Sequence, residues 1–188
     1  SDQKEDVQLF KKASSDLVSA DSIAKAKLAE KKQLIEDYAL NNIDTLKVGD
    51  VDGDGKKDVA YILPYNLDSN FVNIAFSCGI PFIKHRSGFS GFVANLGDLD
   101  GNKTEELIYC PHWFQSNSGG IFVYGYKNKT WRLLAHGSIR RDILYEQKNP
   151  IKFLKSRVKK INTTSFQLIS HLWRDADIVD STEIITIE

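Results

Sequence analysis

The sequence lacks methionine altogether and has few cysteines and prolines, two and four respectively. The chain begins with Ser1, and the absence of methionine even there is expected either of a mature exported protein from which a leader or lipid-anchored start has been removed, or of a chain that has been trimmed at its start. The two cysteines, Cys78 and Cys110, either form one disulfide in an oxidising compartment or are buried free thiols.

An excess of charge is also absent, because 25 lysines and arginines balance 25 aspartates and glutamates. No net field therefore attracts the chain to nucleic acid or to an anionic membrane, and we expect no nucleic-acid partner. No run of about 18 apolar residues is present, so the sequence contains no transmembrane segment. A hydrophobic content of 41% over 188 residues instead predicts a well-buried globular domain.

Recognisable catalytic patterns are missing as well. None of the histidines stands at a metal-ligand spacing such as His-x-x-x-His. Ser90 misses the spacing of a nucleophile elbow by one residue, so its glycine-flanked segment is predicted to be a turn. We therefore assign no catalytic residue from the sequence.

An acidic, glycine-containing motif is present at 50–58 and returns 48 residues later at 98–106. The first copy is DVDGDGKKD and the second is DLDGNKTEE. Both place oxygen-bearing side chains at relative positions 1, 3, 5 and 9, a spacing that points several oxygens of a curled loop at one hard cation such as Ca²⁺. Position 12, a glutamate in EF-hands, is Tyr61 or Tyr109, and strand formers follow, so strands rather than helices are predicted to flank the loops.

The segment 48–59 resembles the calcium loop of FG-GAP/VCBS-type repeats, the blade motif of integrin alpha-subunit propellers and of many bacterial exported proteins. The segment 97–107 is similar to the same motif. The resemblance implies that side chains at positions 1, 3, 5 and 9, and the carbonyl at position 7, bind Ca²⁺. The implied ligands of the first loop are Asp50, Asp52, Asp54, Lys56 through its carbonyl, and Asp58. Those of the second loop are Asp98, Asp100, Asn102, Thr104 through its carbonyl, and Glu106.

The second loop departs from the family pattern at two positions. Lys103 replaces the glycine at position 6, which costs about 1 kcal/mol of strain if the backbone there has positive φ. Asn102 also removes one negative charge. We therefore predict that the second loop binds Ca²⁺ more weakly, or is held by hydrogen bonds alone. The first loop has the same alternative, since turns rich in Asp and Gly use carboxylates to satisfy backbone N–H groups.

The repeat also predicts the architecture. A period of 48 residues is typical of four-stranded propeller blades, and runs of strand formers flank both loops. Strands are predicted at 46–48, 59–63, 71–76, 92–96, 107–110, 121–126, 131–134, 151–158, 165–173 and 183–187. The predicted fold class is therefore mainly β, with antiparallel, propeller-blade-like sheets in a small incomplete propeller or in another β-rich fold.

One amphipathic helix is predicted at 21–40, where apolar residues recur at helical spacing. Residues 1–43 are then an N-terminal arm and helix packed on a single β-rich domain at 44–188. An acidic loop is predicted at 175–180, before the last strand.

Aromatic side chains follow the strands that leave the two loops. They are Tyr65 after the first loop and His112, Trp113 and Phe114 after the second. On a repeat architecture they would lie on one rim and offer stacking surfaces for a sugar or peptide. The alternative is that they are core or strand-end aromatics.

The resemblance implies an exported, calcium-stabilised binding or interaction module without enzymatic activity, whose ligand is a glycan or a protein. A periplasmic, cell-surface or extracellular location is expected, because extracellular calcium modules bind at about 10⁻⁴ to 10⁻³ M. The alternative is a hydrolase or lyase of an extracellular polymer with structural calcium, in which Glu146, His112 and Asp142 meet in a cleft. A structural accessory subunit is a third hypothesis, which predicts an exposed apolar patch.

Overall fold

A computed structural model describes residues 45–63, 71–86, 90–112 and 116–187, together with Ser22, Ile23, Lys25, Ala26 and Ala29. The backbone at those five N-terminal positions is helical and the residues are exposed. The rest of the predicted helix and the arm before it lie outside the described residues, so both remain predictions. Within the described part of the chain, no helix is long and apolar enough to cross a membrane.

The first four strands form an antiparallel sheet in simple chain order. They are β1 (Thr45–Gly49), β2 (Asp58–Ile62), β3 (Phe71–Phe76) and β4 (Ile83–Arg86), paired in the order β1-β2-β3-β4. The first acidic loop joins β1 to β2, next to a bulge between Lys47 and Gly49. The sequence predicted the first three strands but not β4, which has only four residues and follows a turn-rich stretch.

The next four strands repeat this plan. They are β5 (Gly91–Gly97), β6 (Glu106–Pro111), β7 (Ser118–Lys127) and β8 (Thr130–Arg140), in the order β5-β6-β7-β8. The second acidic loop joins β5 to β6, and a bulge between Asn95 and Gly97 stands 48 residues after the bulge of the first sheet. The hairpin predicted from 121–126 and 131–134 is confirmed by β7 and β8.

A three-stranded antiparallel sheet completes the described chain, after two short helices. The helices are α1 (Arg141–Tyr145) and α2 (Pro150–Ser156), and the strands are β9 (Val158–Asn162), β10 (Ser165–Arg174) and β11 (Asp177–Thr186). The strand order is β11-β10-β9. In this described sheet a tight turn, and not an acidic loop, joins the first two strands. The prediction of a mainly β, antiparallel fold is therefore confirmed.

The strand predicted at 151–158 is wrong, because most of that segment is helix α2 and β9 begins at Val158. Asn149 caps the helix, accepting a hydrogen bond from the backbone N–H of Lys152 at 2.9 Å. Pro150 occupies the first turn, where its fixed φ favours a helix and its missing N–H costs nothing. These two local signals outweigh the β propensity of the apolar residues that follow.

The acidic loop predicted at 175–180 is also wrong. β11 begins at Asp177 and carries Asp180 within its ladder to β10. The connection consists of Asp175 and Ala176, whose φ angles are 50° and 69°. Two-residue turns with positive φ match the twist of antiparallel strands, so this segment is a tight hairpin.

The second sheet is the middle layer of the fold. Residues Leu107 and Tyr109 on one face of β6 pack into a cluster with Ile74 and Phe76 of the first sheet. The opposite face of the second sheet packs against α1, α2 and the third sheet, in a cluster that includes Phe166. Because both faces are covered, every residue of β6 is buried, as in a strand that carries a continuous apolar run.

His85 lies in the contact between the first and second sheets. Its Nδ1 is 3.1 Å from the hydroxyl of Tyr124, and its ring lies 5.2 Å from that of Tyr109 and 4.3 Å from that of Phe122. Nε2 is buried and has no hydrogen-bond partner among the described residues. Burial lowers the pKa of His85, because an imidazolium would lose its hydration in this aromatic surrounding.

Acid is expected to weaken this contact through His85. Because folding lowers its pKa below 6.5, the unfolded chain binds the proton more readily than the folded chain. The contribution of neutral His85 is therefore complete above pH 6.5 and is lost as the pH falls through the lowered folded-state pKa. As the pH falls through this range, the free energy of unfolding of His85→Phe should therefore rise relative to that of the wild type. The rise should be about 1.4 kcal/mol for each unit by which folding lowers the pKa of His85. Urea unfolding of both proteins across this range measures the effect, and a pH-independent difference would contradict it.

Candidate metal sites in the two acidic loops

The first loop folds around the carboxylate of Asp50. It accepts hydrogen bonds from the backbone N–H groups of Gly53 at 2.7 Å, Asp54 at 3.1 Å and Gly55 at 2.8 Å. The two glycines have φ angles of 81° and 87°, which turn these N–H groups inward. Asp52 accepts from the N–H of Asp54 at 3.1 Å, so the acidic side chains point toward the centre of the loop.

Asp58, at the ninth position, closes the loop from the first residue of β2. It is 5% exposed. One carboxylate oxygen accepts from the backbone N–H of Val51 at 3.1 Å, and the other accepts from the hydroxyl of Ser77 at 3.2 Å. Both oxygens of Asp58 therefore have partners within the protein.

The second loop repeats this geometry. Asp98 accepts from the backbone N–H groups of Gly101 at 2.5 Å and Lys103 at 3.1 Å. Asp100 accepts from the N–H of Asn102 at 3.0 Å. The φ angle is 79° at Gly101 and 75° at Lys103. Lys103 therefore occupies the left-handed region that a glycine adopts at the same place in the first loop.

Glu106 is the buried carboxylate of the second loop, with 0% exposure. Its Oε2 accepts from the backbone N–H of Leu99 at 2.5 Å, whereas Oε1 is buried and has no partner in the described structure. Burial raises the pKa of Glu106 to about 7, and the charges of Asp100 and Asp98 add to the increase. Oxygens of these three acidic residues lie within 4.8 Å of one another. A cation among them would neutralise the buried charge of Glu106.

The first loop also brings carboxylates together. Oxygens of Asp50, Asp52 and Asp54 lie within 4.8 Å of one another. Sets of carboxylate oxygens suit hard cations such as Ca²⁺. The sequence favours the first loop over the second. The structure adds a buried, unpartnered carboxylate oxygen to the second loop, while Asp58 in the first loop is satisfied by Val51 and Ser77.

The remaining predicted ligands lie beside these groups. The side-chain amide of Asn102 donates to Asp100 at 3.0 Å and accepts from the backbone N–H of Thr104 at 2.6 Å. Lys56, at the seventh position of the first loop, pairs with Asp54 through its ammonium group at 3.0 Å. Such an exposed ion pair stabilises little because solvent screens it, so charge pairing alone does not hold the first loop.

Cys78 is a neighbour of the first loop that the sequence did not predict. Its sulfur lies within 4.8 Å of ligand oxygens of Asp52 and Asp58. Burial raises the pKa of its thiol to about 12, and the nearby carboxylates add to the increase. Cys78 and Cys110 are both free thiols. The spacing of Cys78 gives no metal signal, because the turn after β3 brings it to the loop from outside the motif.

The first and second loops contact each other directly. The backbone N–H of Glu105 in the second loop donates to the carbonyl of Asp50 in the first loop at 2.8 Å. Asn95 donates to the carbonyl of Val48 and to the carboxylate of Glu105. A side chain at Gly49 would overlap that carboxylate, so this close approach requires glycine. A conformational change in one loop would therefore affect the other loop through the hydrogen bond between Glu105 and Asp50.

The third sheet touches the second loop from the other side. The ammonium group of Lys160 donates to the carbonyl of Asp98 at 2.7 Å. In the turn between β9 and β10, the methyl group of Thr163 is 3.3 Å from the position of a Cβ at Gly101. One rim of the molecule thus holds the first loop, the second loop and this turn side by side.

The residues considered for a catalytic cleft have other partners. Arg140 binds Asp142 at 2.6 Å, and this hydrogen bond lowers the pKa of Asp142 to about 2. Glu146 is exposed and follows α1. His112 lies against the ring of Tyr145, with 5.8 Å between centroids. In the described ranges, none of the three belongs to a group of closely spaced metal-binding side chains.

His112 is the aromatic of the predicted rim that the structure describes. Its ring also lies 4.9 Å from that of Phe92, at the end of the second sheet opposite the acidic loops. The other predicted rim aromatics, Tyr65, Trp113 and Phe114, lie outside the described residues. The stacking surface predicted from these four residues therefore stays a prediction.

Comparison with protein-family models, with curated proteins and with solved structures yields no match for this chain. Function is therefore inferred from the geometry of the chain itself.

Replacing Glu106 by glutamine tests whether its buried charge needs a cation. Above pH 7, where Glu106 is ionised, we expect Glu106→Gln to raise metal-free stability by about 1–2 kcal/mol, because it removes an unpaired buried charge. The same variant should lose the stabilisation that Ca²⁺ gives at the second loop. The matched control is Asp58→Asn, at a carboxylate with both oxygens bonded, which should lower metal-free stability. Equal decreases in metal-free stability for Glu106→Gln and Asp58→Asn would contradict the prediction.

Lys103 offers a second test, of backbone strain. Lys103→Gly is expected to raise the free energy of unfolding by about 0.5–1 kcal/mol, because glycine adopts φ of 75° without a Cβ clash. Lys57, an exposed lysine of the first loop outside the positive-φ set, is the control. Lys57→Gly should lower stability, since glycine there only adds freedom to the unfolded chain. Denaturant unfolding distinguishes the two signs, and a loss for both variants would reject strain at Lys103.

Proposed function

We propose that this chain is an exported binding module whose two acidic loops bind Ca²⁺ for structural purposes. The observation that carries the proposal is the fully buried carboxylate of Glu106. Its Oε1 lacks a partner among the described residues, and one of its oxygens lies in a cluster with carboxylate oxygens of Asp98 and Asp100. A buried unpaired charge costs several kcal/mol unless it is neutralised, and a bound cation does so.

Calcium is the favoured cation because the ligands are hard oxygens held by flexible loops. Carboxylates, an amide and backbone carbonyls are available, and a shell filled by protein oxygens leaves little room for a substrate. The carboxylates whose pKa is raised, Glu106 and Asp52, stand inside the loops. We therefore assign the ions a structural role and propose that the module binds a ligand rather than transforms one.

The strand order supports a relation to blade repeats. Each of the first two sheets is a four-stranded meander with its acidic loop between the first two strands, as expected for two blades of the FG-GAP/VCBS type. We propose that these sheets are two blade-like units and that the helices and third sheet cover the open face of the second. Calcium loops of modest affinity need a calcium-rich compartment, which favours a periplasmic, cell-surface or extracellular location.

Calorimetric titration with Ca²⁺ tests the proposal directly. We expect two binding events, with dissociation constants of about 10⁻⁴ to 10⁻³ M. Asp52→Asn should remove the event at the first loop, and Asp100→Asn should remove the event at the second. Asp177→Asn, an exposed acidic residue at the start of β11, is the control and should leave both events intact. Absence of heat, and of any thermal shift between Ca²⁺ and chelator, would reject the calcium function.

A further inference from the structure

We propose that a pocket at the rim opposite the acidic loops binds one ring of a neutral sugar. The inference rests on the proposed binding function and supplies its ligand class. The pocket is a cavity of about 270 Å³ between the second and third sheets. It is lined by Ser118, Arg140, His171, Leu172, Trp173 and Ile178. Ligand sites for drug-sized molecules measure roughly 300–1,000 Å³, so this cavity suits a single ring.

Hydrogen bonds between β8 and β10 hold the pocket in place. The backbone N–H of Arg140 donates to Nδ1 of His171 at 3.0 Å, and the hydroxyl of Ser138 donates to the carbonyl of His171 at 2.5 Å. Because Nδ1 accepts, neutral His171 carries its proton on Nε2. The third sheet is thereby tied to the end of the second sheet, and the pocket walls come from strands rather than from loops.

Trp173 supplies an apolar platform at the mouth of this pocket. It is 69% exposed, near the end of β10, and pairs with Ile178 across the hairpin. The guanidinium of Arg140 lies 5.6 Å from the centre of its ring system. This contact orients the indole. An oriented, exposed indole offers a broad apolar face at a small cost in conformational entropy.

The charges around the pocket are already balanced. Arg140 makes two hydrogen bonds to Asp142, at 2.6 Å and 3.0 Å. Arg157 pairs with Asp180 at 2.7 Å. Burial lowers the pKa of His171, and the charge of Arg157 adds to the decrease, so the ring is neutral at pH 7. A charged ligand would have to break one of these pairs, which favours a neutral ligand.

Polar groups surround the apolar platform. Arg140 and the exposed Ser118 line the pocket and donate hydrogen bonds, and the carboxylate of Asp142, which is 47% exposed and paired with Arg140 beside the pocket, accepts them. A sugar ring has an apolar C–H face and a rim of hydroxyl groups that both donate and accept. A sugar that stacks its C–H face on Trp173 and directs its hydroxyl groups at Asp142 would find partners for its apolar face and its polar rim at the same time. An extended peptide is a different occupant, and the experiment below separates the two.

The test uses the intact chain and four methyl glycosides as probes, those of glucose, galactose, mannose and N-acetylglucosamine. The indole N–H signals are followed by NMR during titration, and the Trp173 signal is assigned from the Trp173→Phe variant. We expect that signal to move with at least one glycoside. Trp173→Ala should weaken binding of that glycoside at least about tenfold. The control Ile184→Ala, at another exposed apolar residue of the third sheet (66% exposed), should leave binding unchanged.

Charge balance is tested with Asp142→Asn, which leaves Arg140 without its carboxylate. The variant should bind the neutral glycoside more weakly and methyl glucuronide more tightly than the wild type does. Four outcomes overturn the proposal: no Trp173 shift with any neutral glycoside, binding that survives Trp173→Ala, a wild-type preference for glucuronide, or a Trp173 response to unrelated peptides alone. Calcium calorimetry on the same samples separates this test from the calcium proposal. If the sugar response is absent while calcium binding is intact, only the proposed sugar pocket is rejected.

Discussion

The backbone N–H groups of two tight loops determine the form of one whole rim of this protein. Each loop reverses the chain between two paired strands, so its N–H groups point inward and need acceptors. Asp50 and Asp98 supply those acceptors at the first position of each loop. The carboxylates that satisfy the backbone are therefore also brought close to one another, and their mutual repulsion makes a cation favourable at the same place.

The second loop is the junction of the described fold. The backbone N–H of Glu105 connects it to the first loop by donating to the carbonyl of Asp50. The ammonium group of Lys160 connects it to the third sheet by donating to the carbonyl of Asp98. The second sheet is likewise the middle layer, with apolar clusters on both faces. An ion bound beside Glu106 would stabilise the loop to which the first loop and the third sheet are hydrogen-bonded.

Sequence patterns were sufficient where the cause of structure is local. The motif spacing predicted both loops, and strand formers around Lys127–Thr130 predicted the β7–β8 hairpin. Helix α2 was missed because a cap and a proline, Asn149 and Pro150, outweigh the apolar run that suggested a strand. Oε1 of Glu106 is buried without a partner among the described residues because other layers cover both faces of the second sheet, and no spacing rule reports such burial. The pocket at Trp173 depends on hydrogen bonds between β8 and β10, two strands of different sheets that tertiary packing brings together.

We propose that a cation at Glu106 completes the second loop. A crystal structure determined with Ca²⁺ present tests it most directly. We expect an ion bound by carboxylate oxygens of Asp98, Asp100 and Glu106, with calcium–oxygen distances of about 2.3–2.6 Å. A structure with no ion in the second loop, and with a protonated Glu106 bonded to water or to a neighbouring carboxylate, would contradict it.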